Sequence, residues 1–502
     1  MWKKVVIFLL IWDSAYSAKL ISRLDRESIL DAEKKHRTGG NAYLTEREAQ
    51  ANDIVTRLRS KILLEGITNS TGFAPAMHFF QAKPLIESSP IFRMLKAMPK
   101  GSVLHLHNTA AVSSKWVIKN LTYRSEAKLC EVNGKVFFTV RQSKFCDSEP
   151  QKSITKLRAQ NASAEAFDLW LESFINLKLR DPELMHTDVN TVWNDFQQMF
   201  DALKDLLMYK PFFEDYHRQM LREFYDDNVQ YIELRTSLSK VYDANGKDYN
   251  EFEIVKMISD IVESFKKDHP DFFGVKIIYA KHRSIDNETV ESFLEKFITL
   301  NQEFPDLVVG FDLVGQEDIN NPLILFTDKL RKFEKTAPYF FHAGETNGYG
   351  SEADLNLVDA VLLNSRRIGH GYSLYKHPVL WKMVKQKGIA LEICPLSNQV
   401  LRLVTDMRNH PAVFYVSESV PIVIAPDDPG FWDSVAVGFD FYYALMSLAP
   451  HSAGIGFLKQ IVWDSVKYST LTEPERTQYA ELLQPKWEAF LDFVIANKVL
   501  NY

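Results

Sequence analysis

Ser102-Val-Leu-His-Leu-His107 is a short β-rich run that ends on polar residues, and it opens a series. Runs of the same kind recur at Val229-Gln-Tyr-Ile-Glu-Leu-Arg235, Val275-Lys-Ile-Ile-Tyr-Ala280, Leu307-Val-Val-Gly-Phe-Asp-Leu313, Tyr339-Phe-Phe-His-Ala343, Arg367-Ile-Gly-His370, Ile389-Ala-Leu-Glu-Ile393 and Pro421-Ile-Val-Ile-Ala425. A helix-like stretch follows each, which predicts parallel βαβ units. Eight such units are the count of an α/β TIM barrel, (β/α)8. A doubly wound open sheet is the alternative, but it usually has fewer strands, and no Gly-x-Gly-x-x-Gly follows the first run.

About 120 residues separate the first run from the second, far more than one crossover helix needs, so the interval carries an inserted element. Val112 to Met185 is read as that insertion, placed on the catalytic face to meet a partner or shape the mouth of the site. Upstream, Thr45-Glu-Arg-Glu48 is a capping box, and Ala51, Ile54, Val55, Leu58 and Ile62 make one apolar helix face until Gly66. Residues 18–100 are therefore a helical N-terminal extension, and 101–502 the barrel domain with its insertion. The extension's apolar stripe either packs on the main body or binds a second copy.

Residues 1–17 carry Lys3 and Lys4, an apolar run from Val5 to Trp12, and small residues at Ala15 and Ser17, the layout of a cleaved secretory signal peptide. No later stretch is long and apolar enough to span a bilayer. A secreted, extracellular protein is expected. The composition is that of a globular protein with a large core: 46% hydrophobic, 13% aromatic and 25% charged residues over 502 positions. With 59 basic against 65 acidic residues, a formal charge of −6, the chain is too acidic and too evenly mixed to live on phosphate backbones, so nucleic acid is excluded as a partner. Asn69, Asn120, Asn161 and Asn287 head Asn-x-Ser/Thr sequons and are glycan candidates after export. Cys130 and Cys146 lie close together in a polar stretch and are expected to pair in an oxidising compartment. Cys394, with no His or Cys at metal spacing beside it, is read as a buried free thiol.

The polar residues fall at the strands' C-terminal ends, where TIM barrels build active sites. His105 and His107, spaced i and i+2 on a strand, point the same way. His342 closes the fifth strand, His370 the sixth, and Asp427 with Asp428 follow the eighth. Any one of them reads as ordinary polarity: His-x-His as strand polarity, a lone His as a hydrogen-bonded core residue, Asp-Asp before Pro-Gly as a turn. Together they imply a first-row metal site, with zinc as the expected occupant.

His105-Leu-His107, Phe341-His-Ala-Gly-Glu345, Arg367-Ile-Gly-His-Gly371, Glu392-Ile-Cys-Pro-Leu-Ser-Asn398 and Asp427-Asp-Pro429 resemble the motif set of the adenosine deaminases. The leader, the helical extension, the cysteine pair and Phe311-Asp-Leu-Val-Gly315 resemble their secreted branch, the adenosine deaminase-related growth factor or adenosine deaminase 2 family. The resemblance implies one zinc per subunit on His105, His107, His342 and Asp427, a metal that supplies hydroxide near neutral pH for attack on purine C6. It implies Glu345 as the acid at N1, His370 as the residue that orients water, Asp428 at N7, and the Gly315 N–H at N3. Asn108, Trp193 and His282 resemble further substrate contacts. The sequence departs from the family at Asn108, where Asp is usual, and at Ala425-Pro426, where Ser-Ser is commoner.

The implied activity is hydrolysis of adenosine and 2′-deoxyadenosine to inosine and 2′-deoxyinosine plus ammonia, in a homodimer formed through the extension. A cell-surface receptor or a glycosaminoglycan would be a further partner. The competing readings are another mononuclear amidohydrolase, such as an adenine or AMP deaminase, and a receptor-binding growth factor with a dispensable catalytic site. No basic cluster beside the motifs marks a phosphate pocket, which counts against AMP, and the cytidine-deaminase zinc signature is absent.

Overall fold

A computed structural model describes residues 23–146, 149–179 and 188–496; the expected signal peptide, 1–17, lies outside the described residues. Alternating β-rich and amphipathic segments produce the eight expected strands: β1 Gly101–His107, β2 Val229–Thr236, β3 Gly274–His282, β4 Val308–Val314, β5 His342–Ala343, β6 Arg367–His370, β7 Ala390–Ile393 and β8 Ile422–Ile424. They form two four-stranded parallel sheets, ordered β1-β2-β3-β4 and β5-β6-β7-β8. Isolated parallel bridges join the edges of the two sheets on both sides, Phe311 to Tyr339 and Leu106 to Asp427. The second seam carries backbone bonds from His107 N–H to the Asp427 carbonyl, 3.1 Å, and from Asp427 N–H to the His105 carbonyl, 3.3 Å. β5 is shorter than its sequence run because Tyr339 to Phe341 pair irregularly, with Phe340 N–H donating to the Phe311 carbonyl at 3.0 Å. The parallel strands are buried almost throughout, with half-buried residues mainly at the C-terminal ends of β1, β3 and β4.

The N-terminal helix Glu46–Thr68 starts at its capping box: Glu48 N–H donates to the Thr45 hydroxyl at 3.3 Å, and Thr45 N–H to the Glu48 carboxylate at 2.9 Å. It continues through Gly66, which packs against the Phe73 ring, and ends at Thr68, two residues beyond the expected stop. The stripe of Ala51 and Val55, flanked by Ile54, Leu58 and Ile62, packs onto the body against the helices Ile455–Lys467 and Glu473–Ile495. The main-body alternative therefore holds for this face. Arg59, fully buried within it, donates to five carbonyls, those of Leu445, Ala449, Pro450, His451 and Ala453, at 2.7 to 3.3 Å. Those carbonyls sit around a helix end and turn, where backbone donors are scarce, and the Pro450 carbonyl also accepts from Ala453 N–H at 2.8 Å; the guanidinium's fan of N–H groups serves all five.

The interval after β1 holds an antiparallel sheet of Lys128–Val132, Lys135–Thr139 and Lys152–Ser153, followed by helices Ile154–Gln160 and Ala164–Glu172. Cys130 and Cys146 form a disulfide across it, with Cα atoms 5.8 Å apart. The sheet packs on the helix Val189–Leu207 through its strand Lys135–Thr139. Asn69, Asn120 and Asn161 are exposed, whereas Asn287 is half-buried as the first residue of the helix Asn287–Glu303. Arg59→Ala should lower stability by about 3 kcal/mol or more, because several buried carbonyls lose their donors at once. Arg59→Lys should recover only part of the loss in thermal unfolding, since one ammonium cannot serve five acceptors.

Candidate active site

Strand alternation turns His105 and His107 to the same side, with their Nε2 atoms 3.3 Å apart. His342, opening β5, brings its Nε2 within 3.3 Å of His107 Nε2. β8 ends at Ile424, and Asp427 then takes a left-handed conformation, φ 62°, that carries Oδ1 to 3.1 Å from both His105 and His107 Nε2. The donor atoms of these four residues all lie within 4.8 Å of one another, a group that fits a metal ion. Three imidazole nitrogens and one carboxylate oxygen are the donor chemistry of a first-row divalent cation.

A buried ion network lies directly beneath. His105 Nδ1 is 2.7 Å from Glu392 Oε2, and His342 Nδ1 is 2.8 Å from Asp312 Oδ2. A carboxylate that accepts Nδ1–H leaves the Nε2 lone pair facing the centre. Arg235 donates to Asp312 at 2.8 Å and to Glu392 at 2.6 Å; Arg367 donates to Glu392 at 2.7 Å and to Glu233 at 2.6 Å. Burial by itself would raise the Glu392 carboxyl, but the two arginines hold it well below the usual carboxylate range. His342 and Arg235 likewise overcome burial and keep Asp312 ionised. Residue-by-residue reading missed Glu233, Arg235, Asp312, Arg367 and Glu392 as site residues. Their signal was present, since each is a charge inside an otherwise apolar strand, and a buried charge persists only with a partner.

Glu345 sits beyond the donor set. The N–H groups of Gly344 and Glu345 donate to Glu317 at 3.1 and 2.8 Å, and Asn356 donates to the same carboxylate at 2.6 Å. This anchor, also absent from the sequence reading, holds the loop that carries Glu345. Burial first, and then the negative charge of Asp427, pushes the Glu345 carboxyl well above its ordinary range. Its Oε1 is 3.5 Å from His370 Nε2 and has no hydrogen-bond partner among the described residues. His370, with φ 59°, has Asn398 Nδ2 at 3.3 Å from its Nδ1, and Asn398 Oδ1 in turn lies 2.9 Å from His410 Nε2. Burial keeps His370 neutral, with its pKa well below the ordinary value.

Asp428 opens a short 3-10 turn, Pro429–Trp432, so the two adjacent acids leave the strand before they face the site, as Pro429 and Gly430 predict. Burial and the neighbouring Asp427 push the Asp428 carboxyl upward. A cavity of about 320 Å³ joins these groups, lined by His107, Asn108, Trp193, His282, Gly315, His342, Glu345, His370, Asp427 and Asp428. Every expected substrate contact thus faces one space. Gly315 has φ 103°, and a Cβ there would come 2.4 Å from His282 Nε2, so glycine alone fits. The apolar wall of Phe196, Phe200, Met208, Phe213 and Ile254 was not expected; Trp193, Phe196 and Phe200 show it only as helical spacing. Among the described residues, none between 112 and 179 lines the cavity; the insertion's sheet packs instead on the helix Val189–Leu207, which supplies Trp193, Phe196 and Phe200 to the cavity wall. Cys394 is a buried free thiol, as expected, but its Sγ lies within 4.8 Å of donor atoms of His105, His370 and Asp427. Folding, which chain spacing does not reveal, brings it beside the site.

Residues 178–485 match the family described as adenosine deaminase, and residues 6–95 match adenosine/AMP deaminase N-terminal. The chain is 38% identical over 473 residues to adenosine deaminase 2-A of Danio rerio, covering 93% of each chain. It is 38% identical over 507 aligned residues to the adenosine deaminase of Phlebotomus duboscqi, covering 98% of each, and 38% identical over 475 to adenosine deaminase 2 of Homo sapiens, covering 93% of this chain and 92% of that one. Among solved structures, the adenine deaminase of Arthrobacter aurescens aligns with TM-score 0.53 and 18% identity over 78% of this chain and 99% of that chain, a likeness of fold alone. Asp312→Asn and Glu392→Gln should each weaken retention of a divalent cation by about 10- to 100-fold in chelator competition. Unchanged affinity would mean that the buried carboxylates do not orient the imidazoles.

Proposed function

The chain belongs to the adenosine deaminase family, and from that premise we propose that it is a secreted, zinc-dependent enzyme that hydrolyses adenosine and 2′-deoxyadenosine to inosine and 2′-deoxyinosine plus ammonia. Adenosine deamination rests on the family match and on relatives of that name over nearly the full length. The observation that carries the mechanism is the buried Glu345 on the same cavity as the donor set, its carboxyl pushed well above the ordinary range by burial and by Asp427.

We assign His105, His107, His342 and Asp427 to one zinc ion per subunit. Zinc there would supply hydroxide near neutral pH. Glu345 gives its proton to purine N1, which draws electron density from C6 as the ring is attacked. His370, neutral and aimed at Glu345 and Asp427, orients the attacking water and takes up its proton. Asp428, whose carboxyl burial and the neighbouring Asp427 push upward, is assigned to N7, an acceptor to which a protonated carboxyl would donate. The Gly315 N–H addresses N3, while Asn108, Trp193 and His282 surround the sugar. An amide at position 108 still donates and accepts, so ribose contact is retuned and not lost.

We further read the eight strands as a closed (β/α)8 barrel, supported by edge bridges on both sides, with an extension over 18–100 and a barrel domain over 101–502. Export is supported by the residue order of 1–17, the disulfide, and the exposure of Asn69, Asn120 and Asn161. Among the described residues no helix is long and apolar enough to cross a membrane. Dimerisation through the extension is supported by Leu64 and Ile67, exposed at 57% and 74% on a helix whose other face is buried. A receptor-binding reading has its own observation, the half-exposed Leu169 and Trp170 on the insertion; the complete donor set argues that such binding would accompany catalysis.

Glu345→Gln should cut turnover by about a hundredfold or more, read as the fall in adenosine absorbance, while leaving metal content unchanged. Because Glu345 acts as an acid, kcat/KM should hold below its raised pKa and fall as pH rises through it; a profile limited only on the acid side would remove it from that role. Ile67→Asp should halve the mass seen by light scattering, and an unchanged mass would take this helix out of the interface.

A further inference from the structure

Two overlapping sets of donors converge in this site, and the proposed zinc accounts for one of them. The second comprises His105, His370, Cys394 and Asp427, all buried, with donor atoms within 4.8 Å of one another. The two sets cannot share His105, because its Nδ1 is engaged by Glu392 and only Nε2 remains. They can share Asp427, whose oxygens face different ways: Oδ1 lies 3.1 Å from His105 and His107, and Oδ2 lies 3.9 Å from His370 Nε2. That leaves Cys394, His370 and Asp427 as a separate triad with one soft donor, its donor atoms within 4.8 Å of one another and His370 Nε2 3.9 Å from Asp427 Oδ2. Glu345 Oε1, buried and without a hydrogen-bond partner, lies 3.5 Å from the same imidazole. Cys394 has no assigned part in deamination, and its thiol makes a long hydrogen bond to the Glu392 carbonyl, 3.7 Å.

We infer that Cys394, His370 and Asp427 form a second, inhibitory cation site, selective for soft thiophilic divalent ions. Thiolate ligands select such ions, whereas the imidazole-carboxylate set suits zinc equally well without sulfur. On binding, the Cys394 S–H bond breaks, a sulfur–metal bond forms, and one proton leaves to solvent; no oxidation state changes. His370 Nε2 lends its lone pair to the cation and is withdrawn from the water it would orient, so occupancy stops turnover. The inference rests on the zinc assignment above only for the neighbouring ion.

The test is a cadmium titration of the full-length zinc-loaded protein. Cys130 and Cys146 are joined to each other, so Cys394 is the single free thiol and any cadmium–thiolate charge-transfer band reports it directly. The expected result is a band saturating at one cadmium per chain, zinc retained at one per chain, and activity lost with the same midpoint. Cys394→Ser and Cys394→Ala should remain active without cadmium, lose the band, and need about tenfold or more cadmium for inhibition. Should both variants fail to fold, X-ray absorption of cadmium-loaded wild type decides the matter through the presence or absence of a sulfur neighbour. Inhibition without a thiolate band overturns the inference and leaves the zinc assignment standing. A thiolate band in protein that holds no zinc upholds the inference and overturns the zinc assignment.

Discussion

Five buried charges beneath the donor set govern the rest of the site. Arg235 and Arg367 bridge Glu233, Asp312 and Glu392 in a space with no solvent to screen them, each contact between 2.6 and 2.8 Å. Such groups are costly to bury and are tolerated only when every partner is in place. The two carboxylates that face outward are thereby held ionised, and each takes the Nδ1 of one histidine. The histidines have little freedom left: their rings are set from behind, and their remaining nitrogens meet at one point. Four strands, β2, β4, β6 and β7, contribute to the network, so the register of both sheets is tied to the geometry of the donors.

The same low dielectric sorts the acids of the site into two kinds. Asp427 is held well below the usual carboxylate range by the imidazoles of His105, His107 and His370 around it, despite its burial. Glu345 and Asp428 are buried beside that charge and lack comparable partners, so both are pushed toward the protonated form. One carboxyl is thus kept ionised among imidazoles while two are pushed upward within the same cavity. Environment, not residue type, makes that division.

Much of the scaffold was legible along the chain. The eight β-rich runs are the eight strands, the capping box at Thr45 starts its helix, and Cys130 pairs with Cys146. The candidate ligands and substrate contacts do gather at one cavity, because strand ends in parallel α/β folds face one side. What escaped was support: Glu317 behind Glu345, Asn398 behind His370, and the arginine pair behind the histidines. Each acts through a contact between residues distant in the chain, and no local period records such a contact.

The sequence alone determined the alternation of strands and helices, the family motifs and the chemical types at the strand ends, because these depend on local pattern and on which side chains can bind a cation. Only tertiary structure decided that the stripe of the helix Glu46–Thr68 lies on the body, that the insertion stands one helix away from the cavity, and that Cys394 adjoins His370. Those outcomes turn on distances between segments far apart in the chain, which packing sets and spacing along the chain does not.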